Sequence, residues 1–343
     1  MRVFTQELEP KVPFRIARGT KHYVENVFVE LRHAGITAYG EASPNRFYGE
    51  TAKQVKEKLG SVKSALSNLS INSPTDIKDH WKASWEYLAP SRAAQCALDL
   101  ALWDLLGKKK DESVSRLLWN EPAHALTTSC TLGICEENEW PARIAEIKDF
   151  PIIKIKMGSP SDFPFLEYIR SQTNARLWVD ANCAWQAEEI SEVLRQLHAQ
   201  NVEMVEQPLP PAEDNAMSAI LQLSPLPVIA DESCKIISDV EGLHGRFSGI
   251  NIKLVKCGGI TPALEMIKLA RRAGLQVMTG CMLETNLLIA AGLAIAQKAD
   301  YVDLDGSWLL KESLFEGVVF NKGELSLCNR SGLGVSTTGM YDN

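Results

Sequence analysis

The sequence predicts an α/β chain in two parts, an α+β domain followed by a closed parallel barrel. Three observations carry this. From about residue 126 onward, short β-branched runs alternate with amphipathic helical segments. Polar residues at the ends of those runs recur every 25 residues or so, roughly one βα unit of a barrel. The first 115 residues lack that rhythm.

In the first part, residues 3–8 and 27–36 read as strands of an antiparallel sheet, and 51–66 and 74–88 as helices. Residues 91–106 form an Ala/Leu-rich helix expected to stop at Gly107. The barrel runs are 127–132, 152–157, 177–179, 203–205, 227–230, 249–255, 276–279 and 301–304. Between them, 186–200 and 261–273 carry apolar residues at three- and four-residue spacing, and Gly274 suits a helix stop. No helix of ordinary length follows the eighth run. Residues 315–327 read instead as a hairpin around Asn321-Lys322-Gly323 that folds back onto the first domain. The expected divisions are 1–115, 116–312 and 313–343. An open doubly wound sheet is the competing arrangement, but no G-x-G-x-x-G follows any strand.

A chain of 343 residues suits a barrel with a smaller companion, and 45% hydrophobic with 23% charged residues is ordinary for a globular enzyme. The net charge of −7 and the lack of a basic stripe argue against a nucleic-acid partner. The N-terminus lacks the apolar run of a signal peptide, and 287–296 is too short to span a bilayer. A cytoplasmic protein is expected, with no membrane partner. The eight cysteines include no C-x-x-C pair and read as reduced, small side chains. Cys183, Cys234, Cys257 and Cys281 follow strand ends, yet without zinc-knuckle spacing; carboxylates there offer a better-placed hard site.

Active sites of such barrels form at the C-terminal strand ends. The second strand ends in Lys154-Ile-Lys156, the third in Asp180-Ala-Asn182, the fourth in Glu206-Gln-Pro and the fifth in Asp231-Glu232-Ser. The sixth carries Asn251-Ile-Lys253 and then Lys256, and the eighth ends in Asp303-Leu-Asp305. Three acids on consecutive strand ends would raise one another's pKa unless a cation joined them. Oxygen-only ligands point to Mg²⁺ held by Asp180, Glu206 and Asp231. Solvated rim acids are the plainer reading, but they would not recur once per strand.

Lysine is too basic for general-base work unless burial, a metal or a neighbouring cation lowers its pKa. Lys154 would supply that cation beside Lys156. Lys253, across the mouth, could reach the opposite face of a bound substrate. Two bases flanking one carbon suit a racemase or epimerase, with the metal stabilising the charge that builds between the proton transfers.

This ordered set of Lys-x-Lys, Asp-x-Asn, Glu-Gln-Pro, Asp-Glu-Ser and Ile-Lys resembles the enolase superfamily in its muconate-lactonizing-enzyme subgroup. The segment Ala97-Leu-Asp-Leu-Ala-Leu-Trp-Asp104 resembles it too. The resemblance implies an α+β capping domain over a (β/α)7β TIM-like barrel, and one Mg²⁺ used with a lysine base. It also implies Lys156 and Lys253 as the acid/base pair. The strand-seven histidine of the mandelate-racemase subgroup has no counterpart in Met278–Glu284.

Paired acids on strand eight resemble those of dipeptide epimerases, where they bind the substrate ammonium. Asp303 and Asp305 are accordingly expected to hold it, with Lys154, Asn182, Thr131, Met282 and Arg18 also touching substrate. Glu232, Lys256 and Glu284 would support them from behind. In Ala-Glu-specific relatives an arginine of the first cap loop holds the glutamate; its place falls at Gly19 here, one position after Arg18, so hydrophobic dipeptides stay open. Trp308 is expected to restrict the N-terminal side chain. The expected function is epimerisation at the C-terminal residue of a dipeptide by a homo-oligomer. The alternatives are an o-succinylbenzoate synthase, N-acylamino acid racemase or muconate cycloisomerase of the same subgroup, and, outside enzymes, a silent binding barrel.

Overall fold

The computed structural model describes residues 1–66 and 69–339; the last four residues of the expected C-terminal segment lie outside the described residues. Strand β1 (Arg2–Leu8) leads to a small ribbon of β2 (Phe14–Ile16) and β3 (Gly19–Lys21). Strands β4 (Val24–His33) and β5 (Ile36–Ala42) then complete an antiparallel sheet in the order β1-β4-β5. The single strand expected at 27–36 is thus divided. Ala34 and Gly35 take positive φ of 49° and 81° and turn the chain into β5.

Helices α1 (Ala52–Ser61), α2 (Pro74–Leu88) and α3 (Arg92–Lys110) follow. Thr51 with Gln54, and Ser73 with Asp76, form reciprocal capping boxes at the first two. The helix expected over 51–66 breaks after Ser61, with a separate 3-10 turn at Ser64–Leu66. Helix α3 does not stop at Gly107; it runs to Lys110 and is capped by Asp111 in the left-handed region. Gly107 serves packing instead, since a Cβ there would lie 2.7 Å from the Cα of Gly332.

After α4 (Val114–Trp119) and the short β6 (Leu126–Thr127), the barrel begins. Its strands are β7 (Cys130–Leu132), β8 (Ile152–Lys156), β9 (Arg176–Asp180), β10 (Val202–Glu206), β11 (Val228–Ala230), β12 (Gly249–Ile252), β13 (Gln276–Gly280) and β14 (Tyr301–Asp303). They pair in parallel, in chain order. A backbone bond from Ser129 N to Val302 O (3.0 Å) draws the two edges together. Helices α5 (Trp140–Ile147), α6 (Phe163–Gln172), α7 (Ile190–Ala199), α8 (Met217–Leu223), α10 (Ile260–Arg272) and α11 (Asn286–Ala296) cross between them. A 3-10 stretch, Ile237–Leu243, replaces the helix after β11, and one-turn α9 (Leu254–Cys257) ends the sixth strand earlier than expected. No helix lies between Tyr301–Asp303 and Phe315–Glu316, as the sequence predicts.

The expected run at 127–132 splits between two sheets. Only Cys130–Leu132 joins the barrel, while β6 pairs with a C-terminal hairpin. After β15 (Phe315–Glu316), that hairpin comprises β16 (Val318–Asn321) and β17 (Glu324–Leu327). Lys322 and Gly323, at φ 48° and 83°, make its turn. The hairpin packs beside β6, Phe150 and Pro151 rather than on the first domain. What returns to the first domain is Phe315, stacked on Phe28, and Leu333, whose N–H donates to Asp104 (2.9 Å). Strand β15 pairs with β18 (Ser336–Thr337).

Period-two alternation sets the barrel interior. Ile152, Trp178, Met204, Ile229 and Met278 form one buried apolar cluster. Two residues further along the same strand faces come Lys154, Asp180, Glu206 and Asp231. The apolar layer closes the barrel below and leaves the charges only the upper mouth. Among the described residues, no helix is long and apolar enough to cross a membrane.

The two domains meet through buried carboxylates. Asp99 of α3 accepts from Thr261 N (3.0 Å) and Thr261 Oγ1 (2.5 Å) in the first turn of α10. It comes so close that a Cβ on Gly259 would lie 2.3 Å from its oxygen. Gly40 is the matching contact between β5 and α3, where a Cβ would sit 1.8 Å from the Ala97 carbonyl oxygen. Gly40→Ala is expected to destabilise the protein by about 1–3 kcal/mol or more through overpacking. Gly60→Ala, in α1 with nothing within 4 Å, should instead stabilise by roughly 0.4–1 kcal/mol. Thermal unfolding of the two variants checks both signs.

Candidate active site

A cavity of about 440 Å³ opens over the C-terminal strand ends, a size suited to a small ligand. Its floor includes Lys154, Lys156, Asp231, Lys253, Asp303 and Asp305; its roof comes from the first domain as Phe14, Ile16, Arg18, Lys21, Phe47 and Tyr48. Strands β8 and β12 are four steps apart in the eight-strand order. Lys156 and Lys253 therefore enter the cavity from opposite walls.

Charge compensation at the floor is dense. Lys154, only 1% exposed, places Nζ 2.6 Å from Asp303 Oδ2, 2.5 Å from Glu206 Oε2 and 3.3 Å from Asp180 Oδ2. Lys156 donates to Asp180 Oδ2 at 2.5 Å. Lys253 donates to Asp231 Oδ2 at 2.7 Å and lies 4.0 Å from Glu206 Oε1. Lys256 holds the other Asp231 oxygen and donates to the carbonyls of Asp231 (2.6 Å), Cys234 (2.9 Å) and Asn251 (3.2 Å). It fixes the turn after β11 as well as the acid.

These contacts set the charge state of two of the lysines. Burial pulls the Lys253 ammonium down, but Asp231 and Glu206 outweigh it and hold the group well above the ordinary lysine range. Lys154 is likewise held up, by Asp303, Glu206 and Asp180 against burial. Burial and Asp180 push the Glu206 carboxyl up to about 7, whereas Lys156 and Lys154 overcome burial to keep Asp180 well below the usual range.

Asp180, Glu206 and Asp231 fit a hard divalent cation in chemistry and placement. They are buried, oxygen-only, and one per adjacent strand. Among the described residues, no three such groups already surround one point. Lys154 bridges Asp180 and Glu206, and Lys253 bridges Glu206 and Asp231, so a cation would take over places held by ammonium groups.

On the opposite rim, Asp303 accepts from Ser129 Oγ (2.6 Å) and Lys154, and Asp305 accepts from Thr131 N (2.6 Å). Burial, then Asp303, pushes the Asp305 carboxyl up to about 7. Asp303 stays below the ordinary value because Lys154 outweighs its burial. Cys281 and Met282 complete that wall. Trp308, expected there, turns away to stack on Phe320 and pack against Phe150, and Leu309 lines the cavity in its place.

Arg18 lines the cavity roof, but its guanidinium is occupied. It lies 2.6 Å from Glu232 Oε1, donates to the Asn182 carbonyl (2.8 Å) and sits 4.2 Å over the Phe47 ring. One side chain thus ties two cap loops to the turns after β9 and β11. Asn182 takes a left-handed φ of 48° and aims its buried Oδ1, without a partner, near the cavity. Glu284 lies outside the lining; it accepts from Met282 N (2.8 Å), and burial and Glu41 push its pKa up to about 8.

Sequence reasoning gave Ser129, Asn251 and Gln207 no role in the site, whereas Lys21 lies in the cap loop, residues 15–21, expected to close over it. Asn251 donates to Glu206 Oε1 (2.7 Å), and its place two residues before Lys253 on one strand face was a usable signal. Gln207 accepts from Asp231 N (2.8 Å) and Ser233 N (3.1 Å), locking adjacent strand ends.

With this geometry in view, comparison with known proteins places the chain. Residues 1–119 match the mandelate racemase / muconate lactonizing enzyme N-terminal domain, and residues 139–339 the enolase C-terminal domain-like model. The chain belongs to this enolase-like family. It is 40% identical over 313 residues to an L-Ala-D/L-amino acid epimerase of Maribacter sp., covering 91% of each chain. A dipeptide epimerase from Cytophaga hutchinsonii, solved with Mg and D-Ala-L-Val, superposes with a TM-score of 0.93 at 27% identity, covering 99% of this chain and 95% of that one. Another from Enterococcus faecalis V583, solved with Mg and L-Leu-L-Tyr, gives 0.91 at 30% identity and 98% of each.

The Arg18–Glu232 pair gives a direct test of the roof. Arg18→Met should destabilise the protein because it leaves a buried carboxylate unpaired. Glu232→Gln should remove most of that penalty. Chemical denaturation of the singles and the double variant is expected to show coupling of about 1–3 kcal/mol.

Proposed function

We propose that this chain is a Mg²⁺-dependent dipeptide epimerase, acting at the α-carbon of the C-terminal residue. The observation that carries this is the pair of lysines, Lys156 and Lys253, entering one cavity from opposite walls. Each can reach one face of a carbon held between them: one removes a proton and the other returns one. The relatives named above, solved with Mg and dipeptides, support the same reading.

Asp180, Glu206 and Asp231 would hold the ion. When bound, the cation supplies positive charge that these acids otherwise draw from lysines, next to the substrate carboxylate where negative charge builds. Lys154, fixed against three acids, keeps the floor compensated. Asp303 and Asp305 receive the substrate ammonium, and the roof excludes water from the reacting carbon. Lys21 lines the roof, and among the described residues no carboxylate pairs with it; burial and the cations Lys253, Arg18 and Lys156 push its pKa down to about 8. A carboxylate side chain on the C-terminal substrate residue would answer that charge.

Screening dipeptides for uptake of solvent deuterium at the α-carbon by mass spectrometry tests the reaction. Epimerisation with exchange is expected; turnover without exchange would refute it. Asp303→Asn should cut kcat/KM by about 100-fold or more, consistent with losing a charge-assisted contact worth a few kcal/mol. A lyase or cycloisomerase of the same subgroup, whose substrate has no ammonium, would lose little. Lys21→Met should lower kcat/KM for acidic dipeptides about 10-fold more than for aliphatic ones.

Asp305 contributes a pH dependence. With its pKa near 7, it is protonated at lower pH and offers the ammonium no charge. The kcat/KM profile should rise with pH through about 7, and Asp305→Asn should flatten that limb. The same group makes the folded state bind the extra proton between roughly pH 4 and 7, so its contribution to stability declines as pH rises across that window.

A further inference from the structure

The wall formed by Cys281, Met282 and Leu283 belongs to the barrel, yet the carbonyl at its end, that of Leu283, is held by the first domain. The Leu283 carbonyl accepts from Asn26 Nδ2 (3.1 Å) and Ser43 Oγ (3.1 Å), both on the capping side. Thr285, the N-cap of α11, gives its N–H to Glu41 Oε1 (2.9 Å) and its hydroxyl to Glu41 Oε2 (2.5 Å). Leu288 N adds a third contact to Glu41 (3.2 Å), and Asn26 Nδ2 a fourth (2.8 Å). Glu41 is fully buried, and among the described residues no lysine or arginine pairs with it.

A carboxylate is therefore set, from another domain, against the N-terminus of a barrel helix. The unsatisfied N–H groups and positive helix end there can stabilise it in place of a cation. Only two residues separate Thr285 from Met282, and the carbonyl of one of them, Leu283, is bound to the same domain. The wall cannot shift without breaking bonds to Glu41, Asn26 or Ser43.

We infer that Glu41 is a positioning residue: by capping α11 across the domain interface, it fixes the 281–283 wall against which the substrate lies. The inference about catalysis rests on the proposed dipeptide epimerase; the inference about the wall does not. Glu41→Gln keeps the shape but turns a donor toward Thr285 N or Leu288 N. Thr285→Val removes one bond from the other side, and Thr285→Ser keeps it.

Hydrogen exchange by mass spectrometry should show the peptide spanning 281–288 opening at least 10-fold faster in Glu41→Gln and Thr285→Val than in wild type. Thr285→Ser should match wild type, and distant barrel peptides should stay unchanged. KM for dipeptides should rise about 10-fold with kcat reduced less than 3-fold. Uniformly faster exchange with unchanged KM would overturn the inference and leave Glu41 only a stability role. Unchanged exchange in 281–288 would overturn it outright. Should Glu41→Gln fail to fold, Thr285→Val against Thr285→Ser decides alone. A wild-type protein inert toward every dipeptide would refute the proposed function while leaving the exchange result to judge Glu41.

Discussion

Lys154 binds three carboxylates from three other strands while almost wholly withdrawn from water. A buried charge is tolerated only if its partners are present and well placed, and removing one partner leaves the rest uncompensated. That requirement governs the whole mouth. The apolar layer of Ile152, Trp178, Met204, Ile229 and Met278 forces the charges upward, and strand spacing brings them together there. Lysines answer the acids below, and Arg18 answers Glu232 above. The resulting network is densely cross-bonded, which suits the proposed site, where one carbon would lie between two lysines.

The division of labour between domains follows. The barrel supplies groups able to move protons or hold an ion, since its strand ends converge. The first domain supplies cover and position. Glu41 and Asp99 extend from it into the first turns of α11 and α10, the helices after the seventh and sixth strands. The sixth-strand segment carries Lys253 and the seventh leads to Met282, so each contact steadies a stretch of the site. Close approach at Gly259 lets the domains meet at such short range, while Gly40 lets β5 lie against α3 within the first domain.

Much of this was legible in the sequence because strand periodicity is local. One polar residue per 25-residue unit located Lys156, Asp180, Glu206, Asp231, Lys253 and Asp303 before any fold was known. Contacts joining distant segments were not legible. Nothing near Glu41 announces Thr285, and nothing near Gly107 announces Gly332; a glycine reads as a helix stop until its packing partner is seen. The turn at Ala34 carried no strong turn residue at its first position, so two strands read as one. The run at 127–132 holds no Gly, Pro, Asn or Asp to interrupt it, and only the hairpin's pairing with β6 divides it. The direct pairing of the lysines with the acids assigned to a metal was likewise not announced by strand spacing.

The opposed placement of Lys156 and Lys253 is tested most directly by following α-deuterium uptake separately from the two epimers of one active dipeptide. With either lysine removed, the other can still take a proton from its own face and return a deuteron to it. Lys156→Ala is thus expected to exchange one epimer without inverting it, and Lys253→Ala to exchange only the other. If both variants kept the same epimer exchangeable, the lysines would not serve opposite faces, and the two-base account would be contradicted.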